Sequence, residues 1–310
     1  MTFVPVKDLR SPRNSEEAVD GPRISARDRS GRLPPWFKVR LQRGPDYLEI
    51  RRIMDRLDLH TICEEARCPN MWECWNARTA TFLILGDVCT RRCHYCSVTT
   101  GRPRTLDLDE PLRVARAIQA LSLRHAVITS VNRDELDDGG ASIFAETIRH
   151  VRRLTPACTI EVLIPDFEGS ELALALVCAE KPDILNHNIE TVLRLFPSIR
   201  PQGKYQRSID LLHKAKQRGM KTKSGLILGM GETLEEARGV MRDLRSVGCD
   251  IMTIGQYLQP TKDHLPVARF YHPDEFAQLK SEGLAMGFGH VESGPLVRSS
   301  YHAEQQVSCS

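Results

Sequence analysis

From residue 79 onward this chain alternates. Short apolar runs of strand length are each followed by stretches with helical apolar spacing. The runs are Ala80–Leu85, Ala126–Val131, Thr159–Leu163, Ile184–Ile189, Lys221–Leu228 and Ile251–Tyr257. The helical stretches between them are Glu110–Leu123, Ala141–Leu154, Glu171–Ala179, Arg207–Arg218 and Thr233–Val247. A further helix at Pro273–Met286 leads to a short run near Gly289–Glu292. Strand–helix–strand repetition predicts a parallel sheet with helices outside. Five uninterrupted crossovers favour barrel-like curvature, and six units fall short of the eight of a closed barrel. The fold class expected is therefore α/β, a partial (β/α)6 TIM-like barrel with a wide lateral mouth.

In such architectures the chemistry gathers at the carboxyl ends of the strands. Polar residues collect there: Thr129 near the end of the second run and Asn132 just after it, Glu161 in the third, Asn188 in the fourth, and Lys223 in the fifth. These five are candidates for binding the polar groups of a cofactor. Glu190 and Arg200 could form a structural ion pair, and Arg200 or Arg298 could face a substrate.

Six of the ten cysteines fall in two triplets just before and just after the first run. Cys63, Cys68 and Cys74 read C-x4-C-x5-C; Cys89, Cys93 and Cys96 read C-x3-C-x2-C. A structural zinc site wants four protein ligands, and an iron–sulfur cluster usually takes four thiolates. A triplet leaves one metal corner for something else. A zinc or redox triplet with a distant fourth ligand would use the same spacing. Disulfides are the weaker reading, because Met1–Asp20 shows no apolar secretory segment and a reducing cytosol is expected. At 310 residues the chain also needs no covalent staples to fold. Cys158, Cys178 and Cys249 read as buried thiols, and Cys309 as part of a frayed tail.

The remaining bulk properties exclude more than they assign. Hydrophobic residues make up 41% of the chain and charged ones 27%, which suits a globular protein with a sizeable core. A net charge of +3 is too mild to point to nucleic acid or an anionic membrane, and no apolar run is long enough to span a bilayer. Residues 1–33 show no apolar period and read as a flexible arm. Pro34-Pro35-Trp36-Phe37 reads as a rigid extended entry, and Asp46–Leu57 as an amphipathic helix. The expected organisation is this arm, an N-terminal extension over 34–78, the barrel over 79–287, and a C-terminal extension over 288–310.

The second triplet resembles the signature of the radical S-adenosylmethionine (SAM) superfamily, with Tyr95 at the aromatic position before the third cysteine. Gly225-Leu-Ile-Leu-Gly229 is similar to that superfamily's adenine-side motif. The two triplets together resemble the lipoyl synthase family, and the likeness runs along nearly all of the chain after about residue 34. Among the stretches that carry it are Leu59–Asn70, Asn186-His187-Asn188-Ile189-Glu190, Gly229-Met230-Gly231-Glu232-Thr233 and the terminal Arg298-Ser299-Ser300-Tyr301. Glu135 departs from it, standing where a second Asp is expected after Arg133-Asp134.

The resemblance implies a sulfurtransferase. Cys89, Cys93 and Cys96 would hold a 4Fe-4S cluster whose open iron binds SAM and whose electron releases a 5′-deoxyadenosyl radical. Cys63, Cys68 and Cys74 would hold an auxiliary 4Fe-4S cluster, with Ser300 as fourth ligand. An alkoxide is less matched to iron–sulfur chemistry than a thiolate, which fits a labile cluster that gives up its sulfur. The implied substrate is an octanoyl group on a lysine of a lipoyl carrier domain, from a 2-oxo acid dehydrogenase complex or the glycine cleavage H protein. Sulfur would enter at carbons six and eight, at a cost of two SAM. Implied partners are a low-potential electron donor such as ferredoxin or flavodoxin and an iron–sulfur carrier protein, in the cytoplasm, with neither nucleic acid nor membrane. The competing readings are a biotin synthase-like sulfur-inserting enzyme and a zinc-binding interaction module. Trp72 and Trp75 are expected to pack around the first cysteine triplet.

Overall fold

The computed structural model describes residues 33–38, 45–66, 68–76, 79–103 and 105–306. The expected arm over 1–33 falls outside these residues save for Leu33, and so does Cys309. Strands in chain order are β1 (His60–Thr61), β2 (Thr81–Ile84), β3 (Val88–Cys89), β4 (Thr99–Thr100), β5 (His125–Ser130), β6 (Thr159–Leu163), β7 (Ile184–Asn186), β8 (Thr222–Leu228), β9 (Ile251–Gln256) and β10 (His290–Gly294). Helices are α1 (Pro45–Leu57), α2 (Ile62–Glu65), α3 (Met71–Asn76), α4 (Glu110–Ala120), α5 (Ala141–Leu154), α6 (Glu171–Ala179), α7 (Phe196–Ile199), α8 (Tyr205–Gln217), α9 (Leu234–Ser246), α10 (Pro273–Ala285) and α11 (Ala303–Gln306).

One sheet carries the fold, in the order β1-β2-β5-β6-β7-β8-β9-β10. All neighbours from β2 to β10 pair in parallel, and β1 adds antiparallel to β2. The ends of this order do not pair, so the sheet is an open partial barrel. It has seven parallel strands, one more than the expected six. The extra strand is β10, which reads poorly in sequence because Val291 is its one fully buried residue. Since β10 pairs with β9 along five residues, it belongs to the sheet rather than to a separate C-terminal extension.

The helices pack outside. Their apolar faces meet the strands in two cores, one under β2, β5 and β6 and the other under β8, β9 and β10. Capping fixes their entries: Ser170 accepts from Ala173 N at the start of α6, and Thr233 and Glu236 form a capping box at the start of α9. The entry at residues 34–37 is a 3-10 turn over Pro35–Phe37 rather than an extended segment. Proline at the first helical position suits such a turn as well as it suits extension. Phe37 packs on Phe270 and Trp36 on His272. Among the described residues no helix is long and apolar enough to cross a membrane.

The sheet interior holds a polar layer. Lys223 Nζ donates to both Glu161 oxygens at 2.9 Å, and both side chains are 0% exposed. Asn186 Nδ2 donates to Glu161 Oε1 at 2.9 Å. Burial pulls Lys223 below the ordinary lysine pKa while the Glu161 charge pushes it back up. Lys223 is the second residue of β8, at the amino end of the strand, and Glu161 lies mid-strand in β6. Neither reaches the mouth, so these two of the five candidate cofactor contacts form an internal ion pair instead. Lys223→Met should lose about 3–5 kcal/mol in urea unfolding of the metal-free protein, because a carboxylate is left buried without its cation. Adding Glu161→Leu should recover most of the loss.

Candidate active site

The Cys89–Cys96 loop leaves the sheet just after β2. Its base is pinched by β3 pairing with β4, and Gly101 N donates to Cys89 O at 3.0 Å. Arg91 anchors its middle. The buried guanidinium donates to Asp134 from Nε and Nη2 at 2.8 and 2.7 Å and meets Asp166 at 2.7 Å. Arg207 holds the other Asp166 oxygen at 3.0 Å. Burial pushes the Asp166 pKa up, but Arg91 and Arg207 bring it well below the usual carboxylate range. A bidentate pair of this kind fixes direction as well as position. The far side of the loop is held by His94 N donating to Ile199 O at 3.0 Å and by His264 Nε2 reaching Cys96 O at 2.9 Å. Asn132 directs its backbone N and Nδ2 at Cys89 Sγ, at 3.3 and 3.7 Å.

The first triplet is built from short pieces. Cys63 lies in α2, Cys68 in the turn after it and Cys74 in α3. Thr61 caps α2 by accepting from Glu64 N at 3.3 Å. Trp72 stacks on Tyr47 at 4.4 Å, and fully buried Trp75 lies 5.0 Å from the same ring. Trp75 also lies beside the Cys63 thiol. Ser97 Oγ donates to Glu65 O and so ties the two cysteine segments together.

The C-terminal segment crosses over to meet them. Asn70 Nδ2 donates to Leu296 O at 2.6 Å, and Tyr301 OH donates to Glu73 Oε1 at 3.1 Å. Val297 lies directly on β9, where a Cβ added to Gly255 would sit 2.1 Å from Val297 O. Only glycine admits that approach.

These pieces surround one cavity of about 270 Å³. Cys96 and Tyr95 line one part of its wall, Cys63, Cys68 and Ser300 another. Much of the rest is apolar: Ile62, Leu163, Leu226, Ile227, Leu258 and Val297. A second cavity of about 140 Å³ adjoins it and is lined by Cys89, Cys93 and Cys96. Thr129, Asn188 and Glu190 line both, and Asn132 lines the second. The structure thus brings Thr129, Asn132 and Asn188 to the mouth, and leaves Glu161 and Lys223 beneath it. Cys74 lines neither cavity but lies close enough to Cys63 and Cys68 to feel their charge.

The donor sets fit two iron–sulfur clusters. All nine described cysteines are free. Burial, with the neighbouring Cys68, pushes Cys63 up to about 12, and burial does the same to Cys96. Such thiols ionise only when a cation replaces the lost solvation. Among the described residues no three His, Cys, Asp or Glu groups close on a single ion; a cube of four irons spreads its thiolates more widely. SAM also finds a fit. Asn188 Oδ1 is buried without a hydrogen-bond partner, and a Cβ on Gly225 would come within 2.7 Å of it. The missing side chain leaves room for a ligand to satisfy that oxygen.

Charge at the junction was only partly legible in the sequence. Glu190 accepts from Asn188 Nδ2 at 3.0 Å, and burial raises its pKa. Arg200 does not close a direct ion pair with it; it donates instead to the carbonyls of Asn188 and Ile189, at 3.0 and 3.4 Å. Arg298 faces Cys68 and Glu190 from the cavity wall. Arg91 gave no signal beyond its place between two cysteines of the second triplet.

Comparison with known proteins agrees with this geometry. The sequence matches the radical SAM superfamily over residues 83–244 and the N-terminal domain of lipoyl synthase over residues 5–68. It is 62% identical to the lipoyl synthase of Rubrobacter xylanophilus over 91% of this chain and 88% of that one. It is 53% identical to that of Chloroflexus aurantiacus over 98% and 97%. Among solved structures, methylornithine synthase shares the fold at a TM-score of 0.52 and 13% identity, covering 82% of each chain. SuiB from Streptococcus suis bound to S-adenosylmethionine shares it at 0.52 and 11%, covering 69% of this chain and 49% of that one. With relatives this similar along nearly the whole sequence, the chain belongs to the lipoyl synthase family of the radical SAM superfamily.

Proposed function

We propose that the cavity between the two cysteine sets is where this lipoyl synthase inserts sulfur into an octanoyl chain. A single observation carries the assignment of residues. Cys96, from the SAM-type triplet, and Cys63, Cys68 and Ser300, from the other set, line one mostly apolar cavity. When bound, SAM and the two 4Fe-4S clusters supply hydrogen abstraction from unactivated carbons and the sulfur that replaces it.

The chain's residues place and shield these groups. Cys89, Cys93 and Cys96 hold the first cluster, and the Asn132 N–H groups aimed at Cys89 stabilise its thiolate. Thr129 and Asn188 are the candidates for the polar groups of SAM. Cys63, Cys68, Cys74 and Ser300 hold the second cluster, with Arg298 supplying positive charge beside Cys68. Ile62, Leu226, Leu258 and Val297 accept an aliphatic chain and exclude water. Without that exclusion an oxidising site would react with solvent. The substrate is acyl-lysine on a lipoyl carrier domain. The supporting proteins we infer are a ferredoxin- or flavodoxin-like donor and an iron–sulfur carrier that restores the second cluster, all in the cytoplasm.

The direct test is anaerobic turnover with SAM, dithionite and an octanoyl-lysine peptide. Thiolated peptide and deoxyadenosine should form together; absence of both would refute the reading. Two sets of variants assign the corners. Cys96→Ala should drop iron from about eight to about four per chain and abolish SAM cleavage, whereas Cys68→Ala should lose a similar share of iron and keep cleavage. Ser300→Cys should retain iron at both sites yet lower thiolated product at least about tenfold, because a fourth thiolate holds the iron more firmly than an alkoxide. Mass spectrometry of the peptide and iron analysis read both results.

A further inference from the structure

An alkyl chain that enters the cavity leaves its carrier protein seated on the rim, and one side of that rim has a consistent charge. Three segments meet there: 90–103, which follows β3 and holds β4, 200–204 after α7, and 258–266 after β9. Hydrogen bonds knit them. Arg92 N donates to Gln202 Oε1 at 3.2 Å, Leu265 N to His94 O at 3.2 Å, and His264 Nε2 to Cys96 O at 2.9 Å. The first and third of these border the larger cavity through Tyr95, Cys96, Leu258 and Pro260, and the second reaches the smaller one through Arg200.

On these segments Arg92, Arg102, Lys204 and Lys262 are exposed, with Asp263 the one exposed carboxylate among their described residues; further toward α4, Asp107, paired with Arg113, and Asp109 are exposed as well. The buried Arg91 is already neutralised by Asp134 and Asp166. The whole chain carries only +3, so this concentration is local. Among the described residues of α2 and α3, Glu64 and Glu73 are exposed, and α2 adjoins the 90–103 segment through the Ser97–Glu65 hydrogen bond. Exposed cations gathered beside a cavity steer a partner of opposite charge toward it.

We propose that this basic rim is the docking surface for the carrier domain and recognises an acidic face of it beside the acylated lysine. The proposal rests on the lipoyl synthase reading above. The four cations act at the level of encounter and orientation and take no part in the chemistry.

The test compares two substrates, an octanoylated carrier domain and an octanoyl-lysine peptide, both with dithionite as reductant. In the Arg92→Glu, Lys262→Glu double variant, KM for the carrier should rise about tenfold or more and its salt dependence should flatten, while kcat/KM for the peptide stays within about twofold. Equal losses with both substrates, or no change with either, would overturn it. So would a loss that appears only when a protein electron donor replaces dithionite, since the rim would then serve the donor. If the wild type makes no thiolated product even from the peptide, the reading of the function itself fails, and the docking proposal falls with it.

Discussion

The close approach of a carbonyl to a strand organises the whole mouth. Val297 O rests where the side chain of residue 255 would be, so the C-terminal segment can lie against β9 only because that residue is glycine. From this seat Leu296 reaches Asn70, Tyr301 reaches Glu73, and Ser300 comes to the same wall as Cys63 and Cys68. The polar contacts are few, and two of them engage side chains of the first cysteine segment. In the proposed assignment the fourth corner of the second cluster, Ser300, is therefore set by tertiary packing, through contacts made across more than two hundred residues. Non-local closure of this kind is slow to form and simple to release compared with a helix or hairpin. Those properties favour the proposed reading of Ser300 as a releasable ligand.

Buried charge is used in two different ways along one sheet. At the amino ends and middle of the strands, Glu161 and Lys223 neutralise one another and are saturated by Asn186. At the carboxyl ends the Arg91–Asp134–Asp166–Arg207 network is matched, but the charges around Glu190 are not. Glu190 has raised its pKa, Arg200 spends its hydrogen bonds on carbonyls, and Arg298 faces a thiol. Unsaturated buried charge is costly in a finished core. Its concentration at one end of the sheet marks the end where a polar ligand completes the set.

The strand–helix alternation was readable because the buried strands are continuous apolar runs set apart by longer helical stretches: one strand and two helices, Thr159–Leu163, Ala141–Leu154 and Glu171–Ala179, have the same bounds in sequence and structure. The two cysteine triplets were readable because metal ligation demands a residue type at a fixed spacing. Short elements without periodicity were not: β1, α2 and α3 are two to six residues long, and α11 has only two buried positions. Glu161 and Lys223 were placed too high because a charged residue in a strand looks the same whether it ends at solvent or finds a partner inside. Arg91 was silent for a related reason. Its carboxylate partners come from loops after β5 and β6, and nothing local announces them.

Glu190 shows how the sheet sets the junction of the two cavities. Its φ is 69°, a left-handed conformation that costs a non-glycine residue on the order of 1–3 kcal/mol. The conformation persists because both backbone groups are committed: Glu190 N donates to Gly225 O, and Ile227 N donates to Glu190 O, each at 2.9 Å. The bridge to β8 thus extends pairing past the end of β7 by forcing one residue to turn over. The turn sends the carboxylate of Glu190 to the point shared by both cavities, beside Asn188 and within the field of Arg200 and Arg298. A glycine at 190 would relieve the backbone and lose the carboxylate. The strain is the cost of putting a carboxylate where the two halves of the site meet.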